Sequence, residues 1–195
     1  MDVYVYPHYP LAYLPIPKNA SSTFISAFQS RGWQLQQLDQ LGNEYHIFGH
    51  FRDPIERHFK GTSEFLIKNK ITHMLENPDW QKIWISSVMD MHSYPITWAL
   101  GTRADKIKWI PISRKIPTNY LTHRYLISHG IDMGLLNATW NNESTIEKQQ
   151  IYLKLCDLRN RQENNDLTFF YDSDIILWNK IVPYTDEDNV QYFIT

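Results

Sequence analysis

The chain has 195 residues, of which 43% are hydrophobic and 21% charged, and its formal net charge is −2. This length and composition predict one globular domain over residues 1–195 and exclude a disordered chain. A chain so close to neutral lacks the basic excess that attracts nucleic acid or an anionic membrane, so we expect neither as a partner. An anion-binding site must therefore come from the local placement of lysine and arginine.

Cysteine content and hydropathy indicate the compartment. Cys156 is the one cysteine in the sequence, so no intrachain disulfide can form. The N-terminal stretch lacks the basic region and apolar run of a signal peptide. No segment approaches the roughly 18 uninterrupted apolar residues of a membrane span. These features predict a soluble cytoplasmic protein, and they leave its oligomeric state open.

Strands and helices alternate along the first half of the chain. Apolar runs and alternation predict strands, while capping residues and apolar spacing predict helices. The predicted strands are Tyr13 to Ile16, Trp33 to Leu38 and Tyr45 to Phe51, and the predicted helices cover 21–31 and 54–68.

The second half continues the pattern with one further strand. The predicted strand is Lys106 to Ile112, and the predicted helices cover 79–91, 117–129, 145–161 and 167–181. For 167–181 a strand stays an alternative, because Phe169, Phe170 and Tyr171 are strand-forming residues. Strands that alternate with helices predict an α/β fold with a mainly parallel sheet.

The loop after the first predicted strand carries the first chemical signal. Pro17-Lys18-Asn19-Ala20 leads into three hydroxyl residues, Ser21, Ser22 and Thr23, where a helix begins. Free backbone N–H groups and the helix dipole make such a terminus an anion site. The alternative is an ordinary strand–helix turn capped by serine or threonine. The loop has no glycine and does not match the GxxxxGK[ST] pattern.

The second signal follows the strand that ends at Phe51. Arg52 lies at the carboxyl end of this strand, where open α/β sheets bind ligands. Asp53-Pro54 then supplies a favoured N-cap and a favoured first helical residue. Arg57 and Lys60 follow on the helix, and for Arg57 the alternative is a surface ion pair with a neighbouring glutamate.

Together, Pro17 to Thr23 and Arg52-Asp53-Pro54-Ile55-Glu56-Arg57 resemble the sulfotransferases that use 3′-phosphoadenosine 5′-phosphosulfate (PAPS), in particular the carbohydrate sulfotransferase branch. The resemblance implies a three-layer, P-loop NTPase-like fold with a central, mainly parallel sheet flanked by helices. In that family the first segment binds the 5′-phosphosulfate and the second binds the 3′-phosphate.

The resemblance also implies the reaction. PAPS would be the donor, 3′,5′-bisphosphoadenosine (PAP) the product, and the acceptor a hydroxyl, most simply of a carbohydrate, with no metal required. Lys18 would stabilise the transferring group, and the backbone N–H groups of Asn19, Ala20, Ser21, Ser22 and Thr23 would complete the cradle. Such chemistry depends on positioning and electrostatics.

One position departs from the family pattern. Eight residues after Arg52 the family places a serine that holds the 3′-phosphate, and this chain has Lys60. A lysine can serve the same anion as a point charge. The alternative is that Lys60 points to solvent and that Thr62 or Ser63 substitutes for the serine.

The acceptor must lose a proton, and histidine is best suited to take it at neutral pH. Asp90-Met-His-Ser-Tyr-Pro95 resembles an Asp-x-His-x-x-Pro stretch of the same branch, which makes His92 the candidate base. A substrate hydrogen bond or a structural role for His92 stays open. His50, within a strand, and Glu64 are weaker candidates.

Two rival functions stay open. One is a non-catalytic protein that keeps the fold and binds PAPS, PAP or a partner, which Lys60 and the short chain favour. The other is a nucleotide-dependent kinase, which the missing GK[ST] pattern disfavours.

Overall fold

A computed structural model describes residues 1–76, 87, 90–112, 116–134, 145–161 and 166–181. In this part of the chain the fold is α/β, with a five-stranded mixed sheet flanked by helices. The strands are β1 (Asp2–Val5), β2 (Leu11–Leu14), β3 (Gln34–Gln37), β4 (His46–Phe51) and β5 (Lys108–Pro111).

Five of the six described α-helices lie close to the predicted bounds, and the short helix Ile96–Leu100 was not predicted. Short 3₁₀ helices cover Leu38–Gln40, Thr72–Leu75 and Gly101–Lys106. The predicted helix over 79–91 falls mostly on residues outside the described part. The α-helices are α1 (Ser21–Gln29), α2 (Pro54–Lys68), α3 (Ile96–Leu100), α4 (Thr118–Ser128), α5 (Ile146–Arg161) and α6 (Asp166–Ile181).

The sheet is not wholly parallel, because β1 was not predicted and runs against its neighbours. The strand order is β3-β1-β2-β4-β5. β1 pairs antiparallel with both β2 and β3, whereas β2 pairs parallel with β4 and β4 with β5. β1 is thus the strand of opposite direction among the five described. Strand β2 ends at Leu14 rather than Ile16, and Pro15, which has no N–H to donate to a ladder, follows it.

Side chains of the sheet build an aromatic core. Tyr13 of β2 and Phe48 of β4 are fully buried and pack with Phe24 and Phe28 of α1. The i, i+4 spacing of the two phenylalanines places both on the inner face of α1. This packing fixes α1, and therefore its N-terminus, against the ends of β2 and β4.

The contacts divide the chain into two compact units. The first unit comprises Met1–Arg52, Thr102–Asn141 and Leu177–Thr195, and it contains the sheet. The second comprises Asp53–Gly101 and Asn142–Ile176. The single domain expected for residues 1–195 stays a prediction.

The second unit has its own apolar core. Helix α2 packs against α5, and the core combines residues of α2, α5 and α6. Asp53 caps α2 as predicted, because its Oδ1 accepts hydrogen bonds from the N–H groups of Ile55 and Glu56 at 3.0 and 2.8 Å. Among the described residues, none of the helices has the length and apolar character needed to cross a membrane.

Candidate functional site

The Lys18 loop, residues 15–20, has a backbone suited to anions. Lys18 and Ala20 adopt left-handed conformations with φ of 64° and 60°, and Asn19 between them keeps a negative φ. Alternation of positive and negative φ is typical of backbone turns that bind anions. Left-handed backbone is costly for residues with a Cβ, so the loop is held in this form by its surroundings.

The helix that follows the loop has no side-chain cap. The N-cap residue of α1 is Ala20, whose side chain accepts no hydrogen bond from the first turn of the helix. The first α-helical bond runs from Phe24 N to Ala20 O. The Ser/Thr-capped turn considered from the sequence is therefore not what forms, and the N–H groups of residues 21–23 have no intrahelical acceptor.

The main-chain N–H of Asn19 is bonded within the loop, so it does not belong to the predicted anion cradle. That N–H donates to the Ile16 carbonyl at 3.1 Å, so the predicted cradle is reduced to residues 20–23. The side-chain Nδ2 donates to the His50 carbonyl at 2.8 Å, at the end of β4. Asn19 is fully buried, and its Oδ1 has no partner within the described part of the chain.

Arg52 lies against the same loop. Its side chain is 8% exposed, and its Nε donates to the Lys18 carbonyl at 3.0 Å. Strands β2 and β4 are parallel neighbours, so Lys18 and Arg52 follow two adjacent carboxyl ends. The chain leaves β2 toward β3 on one side and leaves β4 toward β5 on the other, which makes this a topological switch point, the usual ligand site of open α/β sheets.

The His50 ring lies in the interior of the first unit and is not placed to act as a base. Its ring is fully buried, with Nδ1 3.1 Å from the Tyr13 hydroxyl and Nε2 2.8 Å from Thr122 Oγ1. Thr122 Oγ1 donates its proton to the Thr118 carbonyl, so Nε2–H donates to Thr122 and Nδ1 accepts from Tyr13. Burial lowers the pKa of His50 to about 3.

In the second unit, Arg57 is not a surface residue. It is 1% exposed, and its guanidinium donates to main-chain carbonyls rather than to a glutamate. Nη1 donates to His92 O at 3.2 Å, and Nη2 donates to Ser93 O at 3.4 Å and to Tyr94 O. The surface ion pair considered for Arg57 is wrong, because the residue lies in the interior of the unit.

Lys60 lies beside a carboxylate. Its Nζ is 3.3 Å from Glu56 Oε1 and 5.8 Å from the centre of the Tyr152 ring. The two suggested substitutes are engaged locally: Thr62 Oγ1 lies 3.2 Å from His58 Nε2, and Ser63 Oγ donates to the Lys60 carbonyl at 2.9 Å. Both substitutes are also buried, and the role of Lys60 at the 3′-phosphate stays a prediction.

His92 contacts Asp90 through both its ring and its backbone. His92 Nδ1 lies 2.7 Å from Asp90 Oδ1, and the same oxygen accepts the His92 backbone N–H at 2.8 Å. A carboxylate on Nδ1 fixes the tautomer in which Nε2 is the basic nitrogen. Glu64 Oε1 lies 3.7 Å from Nε2 and 3.0 Å from Lys68 Nζ. Glu64 therefore contacts both His92 and a lysine, and the choice of His92 over Glu64 as base stays a prediction.

Three buried polar residues of the second unit, His58, Tyr171 and Asp174, were given no role in the site by the sequence. Tyr171 hydroxyl donates to Ser93 O, and His58 Nδ1 lies 2.9 Å from that hydroxyl. Asp174 accepts from the N–H groups of Ile96 and Thr97, both at 2.8 Å, and so caps α3. The spacing Phe170-Tyr171-x-x-Asp174 on α6 is the sequence signal that could have found Tyr171 and Asp174.

Among the described residues, no group of three or more histidine, cysteine, aspartate or glutamate side chains could hold a metal ion. Comparison of the chain with protein-family models, with curated proteins and with solved structures found no match.

Proposed function

We propose that this protein is a sulfotransferase that moves a sulfuryl group from PAPS to a hydroxyl acceptor, most simply a carbohydrate. One observation carries the proposal. The Lys18 loop, the N-terminus of α1 and Arg52 lie together at the carboxyl ends of β2 and β4. The proposal includes a three-layer, P-loop NTPase-like architecture, to which a ligand site at the carboxyl ends of β2 and β4 belongs.

The residues of this edge fit a doubly anionic ligand. The backbone N–H groups of residues 20–23 and the Lys18 ammonium would hold the 5′-phosphosulfate. The Arg52 guanidinium, with its fork of donors, would hold the 3′-phosphate, and a role of Lys60 toward the same anion rests on the resemblance alone. Bound PAPS would supply the sulfuryl group.

In the proposed reaction, one group takes the acceptor proton and another stabilises the charge on the leaving phosphate. The acceptor oxygen bonds to sulfur as the bond from sulfur to the bridging oxygen breaks, and the electron pair of that bond leaves with PAP. Lys18 stabilises the negative charge that develops on the leaving phosphate. His92 Nε2 takes the acceptor proton while Asp90 stabilises the imidazolium, a role that rests on the resemblance of the 90–95 segment and on the 2.7 Å contact.

Calorimetric titration with PAP tests the donor site. We expect Lys18→Ala and Arg52→Ala each to weaken binding by about 10- to 100-fold, because a hydrogen bond to a charged group contributes about 1.5–3 kcal/mol. Lys70→Ala is the matched control, since Lys70 is an exposed lysine that also has left-handed backbone, with φ of 57°. It should bind PAP like the wild type.

Three outcomes would go against the proposal. Wild-type PAP affinity in both variants would remove Lys18 and Arg52 from a donor site. Tight PAP binding without transfer to any acceptor would support the non-catalytic alternative. Stabilisation by ATP–Mg²⁺ but not by PAP would support a kinase.

A further inference from the structure

The backbone of the His92 segment, residues 90–94, accepts hydrogen bonds from buried polar side chains. Arg57 contributes two guanidinium nitrogens to three consecutive carbonyls of this segment, those of residues 92–94. The guanidinium is almost fully buried, and its Nε has no hydrogen-bond partner among the described residues. Taking such a charge out of water is costly, and the carbonyl dipoles offset part of that cost.

A glycine of α2 lets the backbone of the segment approach the helix. A Cβ built on Gly61 would lie 2.7 Å from His92 O and 2.8 Å from His92 C, and it would also meet Ser93 Oγ. Gly61 lies one helical turn after Arg57, so both residues act from one face of α2. The segment thus rests on α2 through main-chain contacts.

Helix α6 holds the same segment from a second direction. Tyr171 hydroxyl donates to Ser93 O, and because its proton is used there, it accepts from His58 Nδ1–H. The far end of the segment is fixed as well, since Asp174 caps α3, which begins two residues after Tyr94. The main chain around His92 is therefore restrained on both sides of the residue.

The segment itself is a tight turn built on Asp90. The Asp90 carbonyl accepts from Ser93 N at 2.9 Å and from Tyr94 N at 2.8 Å, while Asp90 Oδ1 accepts from His92 N and Nδ1. Any shift of the 92–94 carbonyls would move the backbone of His92 and lengthen the bond from Nδ1 to Asp90. Catalytic groups need placement within about 0.5 Å, so such a shift is expected to reduce the rate.

We infer that Arg57 is a positioning residue that holds the 92–94 carbonyls so that His92 keeps its hydrogen bond with Asp90. The inference rests on the proposed function only for the role of His92 as base. It assigns to Arg57 no contact with the donor.

Arg57→Lys is the test, with Arg31→Lys as its control. Arg31 also donates to main-chain carbonyls, those of Ala27 and Met133, but it is exposed. The first readout is the ¹⁵N and ¹H NMR signal of the His92 Nδ1–H, which reports its bond to Asp90 directly. In Arg57→Lys we expect this signal to be lost or shifted, and in Arg31→Lys to stay unchanged.

Kinetics with PAPS supply the second readout. We expect kcat of Arg57→Lys to fall on the order of 10- to 100-fold while the KM for PAPS changes less than about threefold, because only the base is misplaced. A wild-type NMR signal together with a kcat within threefold of wild type would overturn the inference. If no PAPS turnover exists at all, the proposed function fails, and the NMR signal alone still decides the role of Arg57.

Gly61→Ala keeps the inference testable if Arg57→Lys does not fold. Alanine favours a helix over glycine, so the variant should fold, but its Cβ must displace the His92 carbonyl. We expect the same loss of the Nδ1–H signal and the same fall in kcat. An unchanged signal and an unchanged kcat in folded Gly61→Ala would contradict the inference.

Discussion

Replacement of the buried His50 should remove a specific part of the acid sensitivity of this protein. The ring is fully buried, contacts the Phe24 ring with centroids 3.9 Å apart, and has a pKa lowered to about 3 by burial. In the unfolded chain the pKa of histidine returns to about 6.5. The folded state therefore excludes a proton that the unfolded state takes up below that pH.

The sign and size follow from linkage. Because the folded-state pKa is depressed, the contribution of His50 to stability is complete above about pH 6.5 and declines as the pH falls toward about 3. At pH 5, about 1.5 pH units below the unfolded-state pKa, the loss is about 2 kcal/mol at about 1.36 kcal/mol per unit. This is a large fraction of the roughly 5–15 kcal/mol that keeps a domain folded.

Urea unfolding at pH 7.5 and pH 5, followed by the fluorescence of the seven tryptophans, measures the effect. His50→Gln should lower the free energy of unfolding at pH 7.5 by about 1–3 kcal/mol, since its bonds to Tyr13 and Thr122 are lost or weakened. This deficit should shrink by about 2 kcal/mol at pH 5. Exposed His8→Gln is the control. If the wild type and His50→Gln lose stability in parallel, the ring is not held neutral in the folded state.

Three further predictions concern the loop and the base. Asn19→Ala removes a buried hydrogen bond to β4, so the free energy of unfolding should fall by about 1–3 kcal/mol and PAP should bind more weakly, whereas Asn69→Ala, which loses an exposed bond to a carbonyl, should do neither. Ala20→Gly relieves left-handed backbone and should raise stability by about 1 kcal/mol in thermal unfolding; a lower melting temperature would contradict the assigned conformation. His92→Asn should reduce kcat roughly 10²–10⁴-fold without changing PAP affinity, while exposed His73→Asn changes neither; activity retained within about threefold would remove His92 from the base role.

Local patterns predicted the elements of this fold well. Asp53 and Pro54 identified the start of α2, because helix capping is set by neighbours in sequence. Strand β1 was missed. A simple alternation of strands and helices would place β2 and β3 side by side, but the four residues of β1 pair antiparallel between them.

The sequence predicted the residue types of the candidate site but not the backbone conformation of its loop. Lys18 and Arg52 follow parallel strands, so their proximity could be expected from strand order. The left-handed conformations of Lys18 and Ala20 could not, because residues with a Cβ rarely adopt them and no glycine marks the turn. Arg57 was misjudged because its acceptors, the carbonyls of residues 92–94, lie about 35 positions away in the chain.

Transfer of a labelled sulfuryl group from PAPS to a panel of carbohydrate acceptors tests the central claim most directly. We predict that the wild-type protein forms labelled product and PAP in equal amounts, and that Lys18→Ala loses this activity while remaining folded and Lys70→Ala retains it. A wild-type protein that transfers no label to any acceptor, or a Lys18→Ala variant as active as the wild type, would contradict the account.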